Sequence, residues 1–320
     1  MNPNWLDFLS TQQAVFLDDG TIQFAEMPSN LHSAIYPLSQ LGMLKVTGHD
    51  AAQFLQGQLT CNVNELKSDN SFFAAFCNAK GRTITTLLIF KQDDDFFLIL
   101  PSVLLEKVHK KLKMYILRSA VQLSDVSHDF CFSGLCCSQA QANKSEFPVD
   151  DFSRQGEIIK LPNSRYLIVA KIESTIKHWN LWLEEEIEAH NSHYWNYLDI
   201  SSGLAWLDND SSEEYIPQML NIDKLGGISF DKGCYTGQEV VARTHYLGKA
   251  KRALFVAECA ADISLKGGSI LNENGETVGK IINNDKLHDK QRLLIVMQTT
   301  ATEATTLKLD NPNQDAIQLI

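Results

Sequence analysis

The chain has 320 residues, 44% of them hydrophobic and 21% charged, and it carries a formal net charge of -11 at pH 7. This length exceeds what one hydrophobic core usually supports, so we expect about two or three compact units. The composition excludes a largely disordered chain. The acidic balance argues against a general nucleic-acid binder, whose phosphate contacts require a basic surface.

The seven cysteines are an odd number and include no C-x-x-C pair, which argues against a disulfide framework and a zinc ribbon. Cys136 and Cys137 follow the apolar run 130–132, a pattern that favours burial in a strand over metal binding. No apolar run approaches the ~20 residues of a membrane span, and the first residues do not resemble a signal peptide. We therefore expect a cytoplasmic protein with reduced thiols, no metal site and no membrane partner.

The first part of the chain predicts an α+β unit. Residues 1–40 show no clear periodicity apart from an apolar stretch at 34–41. The elements predicted next are a strand at 43–47, a helix at 50–56, strands at 72–77, 83–90 and 96–100, and a helix at 103–116. The three consecutive strands form an antiparallel meander, and the helices are expected on one face of the sheet.

A looser version of this order follows, and then the pattern changes to short strands. The middle elements are strands near 121–123, 130–136, 158–161 and 166–170, a helix at 174–189, and a short helix ending near Gly203. Short strands then follow at 253–258, 269–271, 277–282, 292–298, 306–309 and 316–320, with a hairpin turn at Asn274-Gly275. This last region predicts a small barrel or sandwich, with a domain boundary between residues 247 and 248.

The most informative segment is Lys232-Gly233-Cys234-Tyr235-Thr236-Gly237-Gln238-Glu239. Thr236 and Glu239 have the spacing of a capping box, which predicts Thr236 as the N-cap of a helix, and Tyr235 and Val240 have the spacing of a hydrophobic staple. Cys234 would then lie beside a helix N-terminus and near Lys232, and both features favour a thiolate. The alternative is that Cys234 is a buried small apolar residue, as most free cysteines are.

Basic residues are concentrated around this segment. Between Lys224 and Arg252 the chain has six basic residues against two acidic ones, a local balance of +4, so the remaining residues carry -15. This basic island favours a small anionic ligand or a short stretch of a polyanion. The alternative is an ordinary solvated face.

Three strings occur in a recognisable order: Gln56-Gly57-Gln58-Leu59-Thr60, Cys77-Asn78-Ala79-Lys80-Gly81-Arg82, and Ile216-Pro217-Gln218 followed by Leu225 to Arg243. With them the chain resembles the YgfZ family, the folate-binding relatives of the glycine-cleavage T-protein, from about Leu44 to Arg252. The resemblance implies interleaved ferredoxin-like α+β folate-binding domains of the T-protein type over residues 1–247, and a C-terminal β-barrel over 248–320. It also implies a tetrahydrofolate-binding protein that supports the assembly or repair of iron–sulfur enzymes, including tRNA-modifying ones, with the motif cysteine needed for activity.

The resemblance also assigns roles to single residues. Trp195 matches a family tryptophan associated with folate (tetrahydrofolate or a one-carbon derivative), and the alternative for this residue is packing in a core. Leu41 stands near the position of a second such tryptophan and lacks its indole N–H. Cys234, Lys232 and Gln238 are the expected reactive group, with Tyr235 bracing the turn beside the ligand. The cations that would attract the folate carboxylates are Arg243, Lys249 and Arg252. Iron–sulfur enzymes or assembly proteins are the expected partners, with tRNA involved indirectly.

One departure separates the chain from true aminomethyltransferases. Those enzymes have an acidic pair just after the turn equivalent to Lys80-Gly81-Arg82, and this chain has Thr83-Ile84-Thr85-Thr86 there. A carboxylate for work on the folate nitrogen is therefore missing at this place.

Two alternatives stay open: a folate-dependent one-carbon transferase that uses Asp199 or Glu239, and a direct tRNA-binding protein that uses the basic island. Whether the protein is an enzyme also stays open.

Overall fold

The structure is a computed structural model that describes residues 1–18, 20–24, 33–137, 148, 150–248, 250–260, 267–287, 290–303 and 306–320. The helices are α1 (Pro3–Thr11), α2 (Ala51–Gln56), α3 (Ser102–Ile116), α4 (Ile172–Glu184), α5 (Ser192–Ser201) and α6 (Gln238–Tyr246), with 3-10 turns at Val63–Glu65, Pro217–Leu220 and Thr299–Glu303.

The strands before the basic island are β1 (Val15–Phe16), β2 (Ile22–Gln23), β3 (Ala34–Pro37), β4 (Leu41–Thr47), β5 (Ser71–Cys77), β6 (Thr83–Gln92), β7 (Asp95–Pro101), β8 (Gln122–Asp125), β9 (Cys131–Cys136), β10 (Arg154–Gln155), β11 (Ile158–Leu161), β12 (Arg165–Ala170) and β13 (Glu188–Ala189). The later strands are β14 (Arg252–Cys259), β15 (Ser269–Leu271), β16 (Thr277–Leu287), β17 (Lys290–Gln298), β18 (Leu307–Leu309) and β19 (Ala316–Leu319).

Two larger sheets organise the first part of the described chain. One has the strand order β5-β6-β7-β4-β8, and its consecutive neighbours β5, β6 and β7 confirm the predicted meander. The other has the order β10-β11-β12-β9-β3-β13, in which β13 runs parallel to β3 and the other pairs are antiparallel. Mixed helices and sheets confirm the predicted α+β class.

The last six strands form a closed barrel in the order β14-β17-β16-β15-β18-β19, which β14 closes by pairing with β19. Alternate apolar side chains such as Ile270, Leu293 and Ile295 fill its interior. The predicted Asn274-Gly275 turn links β15 to β16, with Gly275 at φ +77°, a backbone conformation that favours glycine. The barrel prediction is therefore confirmed.

The described chain divides into two compact units, each built from separate segments. Unit 1 comprises Met1–Phe54, Val63–Phe72 and Leu88–Trp195, and unit 2 comprises Leu55–Asn62, Phe73–Leu87 and Asn196–Ile320. The segments alternate along the sequence, in keeping with the expected interleaving. The boundary between residues 247 and 248 stays a prediction.

Two local predictions differ from the structure. The N-terminal helix α1 was not predicted, although Asn2 caps it by accepting bonds from the N–H groups of Asn4 and Trp5, and Pro3 occupies its first turn. The helix predicted at 174–189 ends at Glu184, because Glu186 takes a φ of +61° and redirects the chain into β13. Within the described residues, no helix is both long and apolar enough to cross a bilayer.

Candidate functional site

Cys234 differs from the other cysteines in its exposure. All seven cysteines lie within the described residues, and Cys234 is exposed whereas the other six are buried. The alternative that Cys234 is a buried apolar residue is therefore wrong, and the burial predicted for Cys136 and Cys137 is confirmed. Burial raises the pKa of the Cys77 thiol to about 12, which keeps that thiol protonated.

The buried side chain of Lys232 holds the turn in place through hydrogen bonds. Its side chain is buried, and its ammonium donates hydrogen bonds of 2.8 Å to the carbonyl of Leu59 and 2.7 Å to that of Cys61. The ammonium also lies 5.0 Å from the centre of the Tyr235 ring. Burial lowers the pKa of Lys232 to about 8, since a charged group loses hydration there. The charged group of Lys232 therefore binds backbone carbonyls of the 59–61 segment.

The helix after the cysteine begins differently from the prediction. The N-cap of α6 is Gly237, at φ +82°, and the predicted N-cap Thr236 is wrong. Thr236 is held elsewhere: its N–H donates to the carbonyl of Gly57 and its hydroxyl to Oε1 of Gln58. Gln238, instead of Glu239, reaches back, accepting a 3.3 Å bond from the N–H of Tyr235. The turn is therefore fixed by the 57–58 segment together with Gln238.

A second segment packs closely against this helix start. A Cβ on Gly237 would lie 2.4 Å from the carbonyl oxygen of Asn78, and a Cβ on Gly81 would lie 2.8 Å from Cβ of Val240. Asn78 shapes its own turn, since its Oδ1 accepts bonds from the N–H groups of Lys80 and Arg82. Glycine at positions 81 and 237 is thus required by close approach as well as by positive φ.

Two further buried polar residues help to fix the segments around the turn. The sequence analysis did not single them out. Thr60 donates its hydroxyl to the carbonyl of Gly227 at 2.7 Å and accepts from the N–H of Ala75 at 2.9 Å. Gln218 donates to the carbonyl of Val241 in α6 at 2.7 Å. Both lie within the strings that carried the resemblance. Their place within those strings is the signal that could have identified them.

Not every basic residue of the basic island lies on the surface of the protein. Lys232 is turned inward, and Arg243 forms a 2.7 Å ion pair with Glu239 on the exposed side of α6. Arg252 is exposed at the start of β14. Lys249, predicted to bind the folate carboxylates, lies outside the described residues. Among the described basic residues of this region, Lys232 is therefore not a surface cation, whereas Lys224, Lys251 and Arg252 are exposed.

Trp195, the predicted folate-stacking residue, is packed inside unit 1. Its side chain is 1% exposed, and a Cβ on Gly134 would lie 2.3 Å from its ring. The guanidinium of Arg165 lies 4.9 Å from the centre of the ring, and the ring of Tyr36 lies 5.5 Å away. An aromatic ligand has no open indole face to stack on in this arrangement. Leu41, also in unit 1, is buried at the start of β4 opposite Pro101.

The carboxylates considered for one-carbon transfer are already engaged. Asp199 is buried and accepts a 3.0 Å hydrogen bond from the indole N–H of Trp206. Glu239 is paired with Arg243 in solvent. In the stretch where aminomethyltransferases have their acidic pair, Thr83 and Thr86 are buried, and the hydroxyl of Thr86 donates to the carbonyl of Ala205.

The structure thus brings Lys232, Cys234, Tyr235 and Gln238 together in one braced turn of unit 2. Tyr235 is buried there, and burial raises the pKa of its phenol. Arg243 and Arg252 belong to the same unit but make no recorded contact with the turn within the described residues. Trp195 and Leu41 belong to unit 1. Whether these residues bind folate stays a prediction.

Comparisons with known proteins agree with this architecture. A family model described as the GCVT N-terminal domain matches residues 29–177. Proteins named tRNA-modifying protein YgfZ, from Escherichia coli O6:H1 (strain CFT073) and Shigella sonnei (strain Ss046), are 31% identical over 297 residues, which cover 87% of this chain and 89% of theirs.

A solved structure extends the comparison to the whole fold. The glycine cleavage system aminomethyltransferase T from Bartonella henselae matches with a TM-score of 0.77 at 14% identity, covering 100% of this chain and 96% of that one. At this identity the likeness shows the fold alone. The expected T-protein type of fold is confirmed.

Proposed function

Because the chain belongs to the YgfZ family, we propose that it is a tetrahydrofolate-binding accessory protein that acts through Cys234. In this proposal it supports the assembly or repair of iron–sulfur enzymes, including enzymes that modify tRNA. The relatives' name supports the link to tRNA modification, and the match to the GCVT N-terminal domain supports folate binding.

One observation carries the proposal: the exposed thiol of Cys234 sits on a turn that is fixed from several sides. Bonds from Lys232 and Thr236 tie the turn to residues 57–61, and Gly237 packs on the carbonyl of Asn78. This bracing limits the movement of the backbone that carries Cys234. A fixed, accessible sulfur, once deprotonated, can bind iron or exchange with another thiol, and soft thiolates suit iron–sulfur chemistry.

The predicted folate-binding residues are better suited to bind the glutamate tail of a folate than to stack on its rings. Arg252 is exposed and, among the described residues, Arg243 is held by a solvent-exposed ion pair, so both can meet the glutamate carboxylates. Trp195 is closed on both faces and does not fit as a stacking platform in this arrangement. We therefore assign folate binding to the charged tail and make no step of the thiol chemistry depend on the folate ring.

The one-carbon transferase ranks second. Its candidate carboxylates, Asp199 and Glu239, are engaged by Trp206 and Arg243, and threonines occupy the place of the acidic pair. A carboxylate that is buried in a hydrogen bond to an indole is poorly placed to accept a proton from a substrate.

Complementation tests the thiol. In a bacterial cell that lacks its own relative of this protein, the wild-type chain is expected to restore the activity of iron–sulfur enzymes, and Cys234→Ala is expected not to. Glu239→Gln, an exposed change five residues further along, is the matched control and should restore activity fully. Full rescue by Cys234→Ala would refute the role of the cysteine.

A titration tests the ligand separately. Tetrahydrofolate is added to the purified wild-type chain and to a variant with Arg243→Gln and Arg252→Gln, and tryptophan fluorescence is followed. We expect binding by the wild type and roughly tenfold or weaker binding by the variant, since each lost charge-assisted hydrogen bond contributes about 1.5–3 kcal/mol. No binding by the wild type would refute the folate assignment, and equal binding would refute the role of these arginines.

A further inference from the structure

Thr60 lies at the centre of the segment to which the Cys234 turn is bonded. It is fully buried in unit 2, at 0% exposure. Its N–H donates to the carbonyl of Ala75 at 3.0 Å, and its own carbonyl accepts from the N–H of Ser229 at 2.9 Å. Its hydroxyl donates to the carbonyl of Gly227 at 2.7 Å and accepts from the N–H of Ala75 at 2.9 Å. Thr60 therefore connects strand β5 to the chain that leads into the turn.

The hydroxyl of Thr60 makes two bonds that an aliphatic side chain of the same shape cannot make. A hydroxyl donates one hydrogen bond and accepts others, whereas the side chain of valine does neither. Without the hydroxyl, the N–H of Ala75 and the carbonyl of the buried Gly227 would lose their bonds to residue 60. Such a loss is costly for backbone groups away from water. The hydroxyl, and not only the volume of the side chain, is therefore required at this position.

Gly227 is also packed closely against β5. A Cβ at this residue would lie 2.0 Å from the carbonyl oxygen of Phe73 and 2.7 Å from a methyl group of Ile222. The backbone of Gly227 is thus enclosed by these two residues and bonded to the hydroxyl of Thr60. Contacts this close fix the point from which the chain continues toward Cys234.

The carbonyl groups on either side of Thr60 hold the turn itself. The ammonium of Lys232 donates to the carbonyl of Leu59 at 2.8 Å and to that of Cys61 at 2.7 Å. Both bonds depend on the orientation of the peptide groups that flank Thr60, so a shift of residue 60 would disturb both. Because Lys232 is only two residues before Cys234, this disturbance would reach the backbone that carries the sulfur.

We propose that Thr60 is a positioning residue for Cys234, and that its hydroxyl fixes the backbone that presents the thiol. Thr60 acts through the bonds described above and is not a reacting group itself. A reactive group must be held within about 0.5 Å of its working geometry by supporting contacts of this kind. The proposal rests on the role proposed for Cys234, and it makes that role depend on a fully buried residue from a distant part of the sequence.

Amide hydrogen exchange, followed by NMR at a temperature where every variant is folded, tests the positioning. The variants are Thr60→Val, Thr60→Ser and the control Thr86→Val. Thr86 is also fully buried in unit 2 and donates its hydroxyl to the carbonyl of Ala205, so its replacement removes a buried bond elsewhere. We expect the N–H groups of Ser229 and Thr236 to exchange roughly tenfold faster in Thr60→Val, because a lost buried hydrogen bond changes a local opening equilibrium by about this factor. Thr60→Ser and Thr86→Val should leave both rates within about threefold of the wild type.

Complementation tests whether this positioning matters for function. In the bacterial cell that lacks its own relative of this protein, Thr60→Val is expected not to restore the activity of iron–sulfur enzymes. Thr60→Ser, which keeps the hydroxyl, and Thr86→Val are expected to restore it. Both valine variants lose a buried hydrogen bond, so a general loss of stability would affect them alike, whereas a positioning role predicts that they differ.

Several outcomes would overturn the proposal. They are unchanged exchange at Ser229 and Thr236 in Thr60→Val, equal acceleration in Thr86→Val, full rescue by Thr60→Val, and loss of rescue by Thr60→Ser or Thr86→Val. If Thr60→Val does not fold, Thr60→Ala, which leaves room for a water in place of the hydroxyl, is judged by the same outcomes. If the wild-type chain restores no activity, or Cys234→Ala restores it fully, the proposed function fails, and the exchange rates still decide whether Thr60 holds the turn.

Discussion

Cys234 and Trp195 are the two residues for which the family resemblance implies the most direct roles, and the structure treats them in opposite ways. Cys234 is exposed on a turn whose backbone is fixed by Lys232, Thr236 and Gly237. Trp195 is 1% exposed and enclosed by Gly134, Arg165 and Tyr36. One has an accessible reactive group on a rigid support, and the other has the surroundings of a core residue. A matching residue type therefore carries a function only where the structure leaves that side chain room to act.

Truncation of each residue gives the largest contrast in stability. Trp195→Ala removes a buried indole and should lower the free energy of unfolding by about 3–5 kcal/mol. Cys234→Ala removes an exposed sulfur and should change it by less than about 0.5 kcal/mol. Urea denaturation of both variants checks this. Similar losses would mean that the two side chains are not as differently packed as described.

Glycine substitutions separate the rigid part of the turn from its open part. Gly237→Ala places a methyl group 2.4 Å from the carbonyl oxygen of Asn78 at a φ of +82°, and should cost about 2–4 kcal/mol. Gly233→Ala is the control, because a Cβ there meets nothing within 4 Å, and it should be neutral to about 0.5 kcal/mol. Thermal unfolding of both variants measures the difference. Equal effects would contradict the close packing at Gly237.

The buried ammonium of Lys232 predicts a pH dependence. Burial lowers the pKa of Lys232 from 10.5 to about 8, so between these values the unfolded chain binds more protons at this residue. Its contribution to stability therefore rises with pH in this window, by up to about 1.4 kcal/mol per pH unit, and is flat below it. The cost of Lys232→Met should accordingly grow from pH 8 to pH 10. Lys224→Met, at an exposed site, is the control, and the stability that it costs should be the same at pH 8 and pH 10. A cost of Lys232→Met that also stayed constant over this range would mean that the Lys232 ammonium is solvated.

The smallest contrast concerns the helix start. Gln238 accepts the N–H of Tyr235, and Gln238→Ala should cost about 0.5–1.5 kcal/mol. Glu239 forms an exposed pair with Arg243, and Glu239→Ala should cost less than about 0.5 kcal/mol. A capping box would reverse this order. Denaturation of the two single variants distinguishes the arrangements.

Much of the fold could be predicted from the sequence because its signals are local. Period-two strands, the Asn274-Gly275 turn and the apolar spacing of α3 each depend on near neighbours in the chain. The end of α4 was missed because a left-handed Glu186, instead of glycine or proline, stops the helix. The N-cap at Thr236 was wrong because Gln58, far away in sequence, binds the Thr236 hydroxyl, while the carbonyl of Gly57 accepts its backbone N–H.

Predictions about the site were limited in the same way, because they could not include contacts between residues far apart in sequence. The sequence predicted Cys234 and the motifs around it, but spacing alone could not separate an exposed thiol from a buried one. It also counted Lys232 as a surface cation, whereas its bonds to Leu59 and Cys61 depend on a contact across more than 170 positions. Charge counts along the chain treat buried and exposed lysines alike, and burial is decided by tertiary packing.

The most direct measurement for the central claim is the reaction of the folded protein with a limiting amount of iodoacetamide, followed by mass spectrometry of its peptides. The fixed turn with one accessible sulfur predicts that Cys234 is alkylated first and nearly alone, and that the Cys234→Ser variant reacts much more slowly. Comparable labelling of any of the six buried cysteines, or an unchanged rate in Cys234→Ser, would contradict the account.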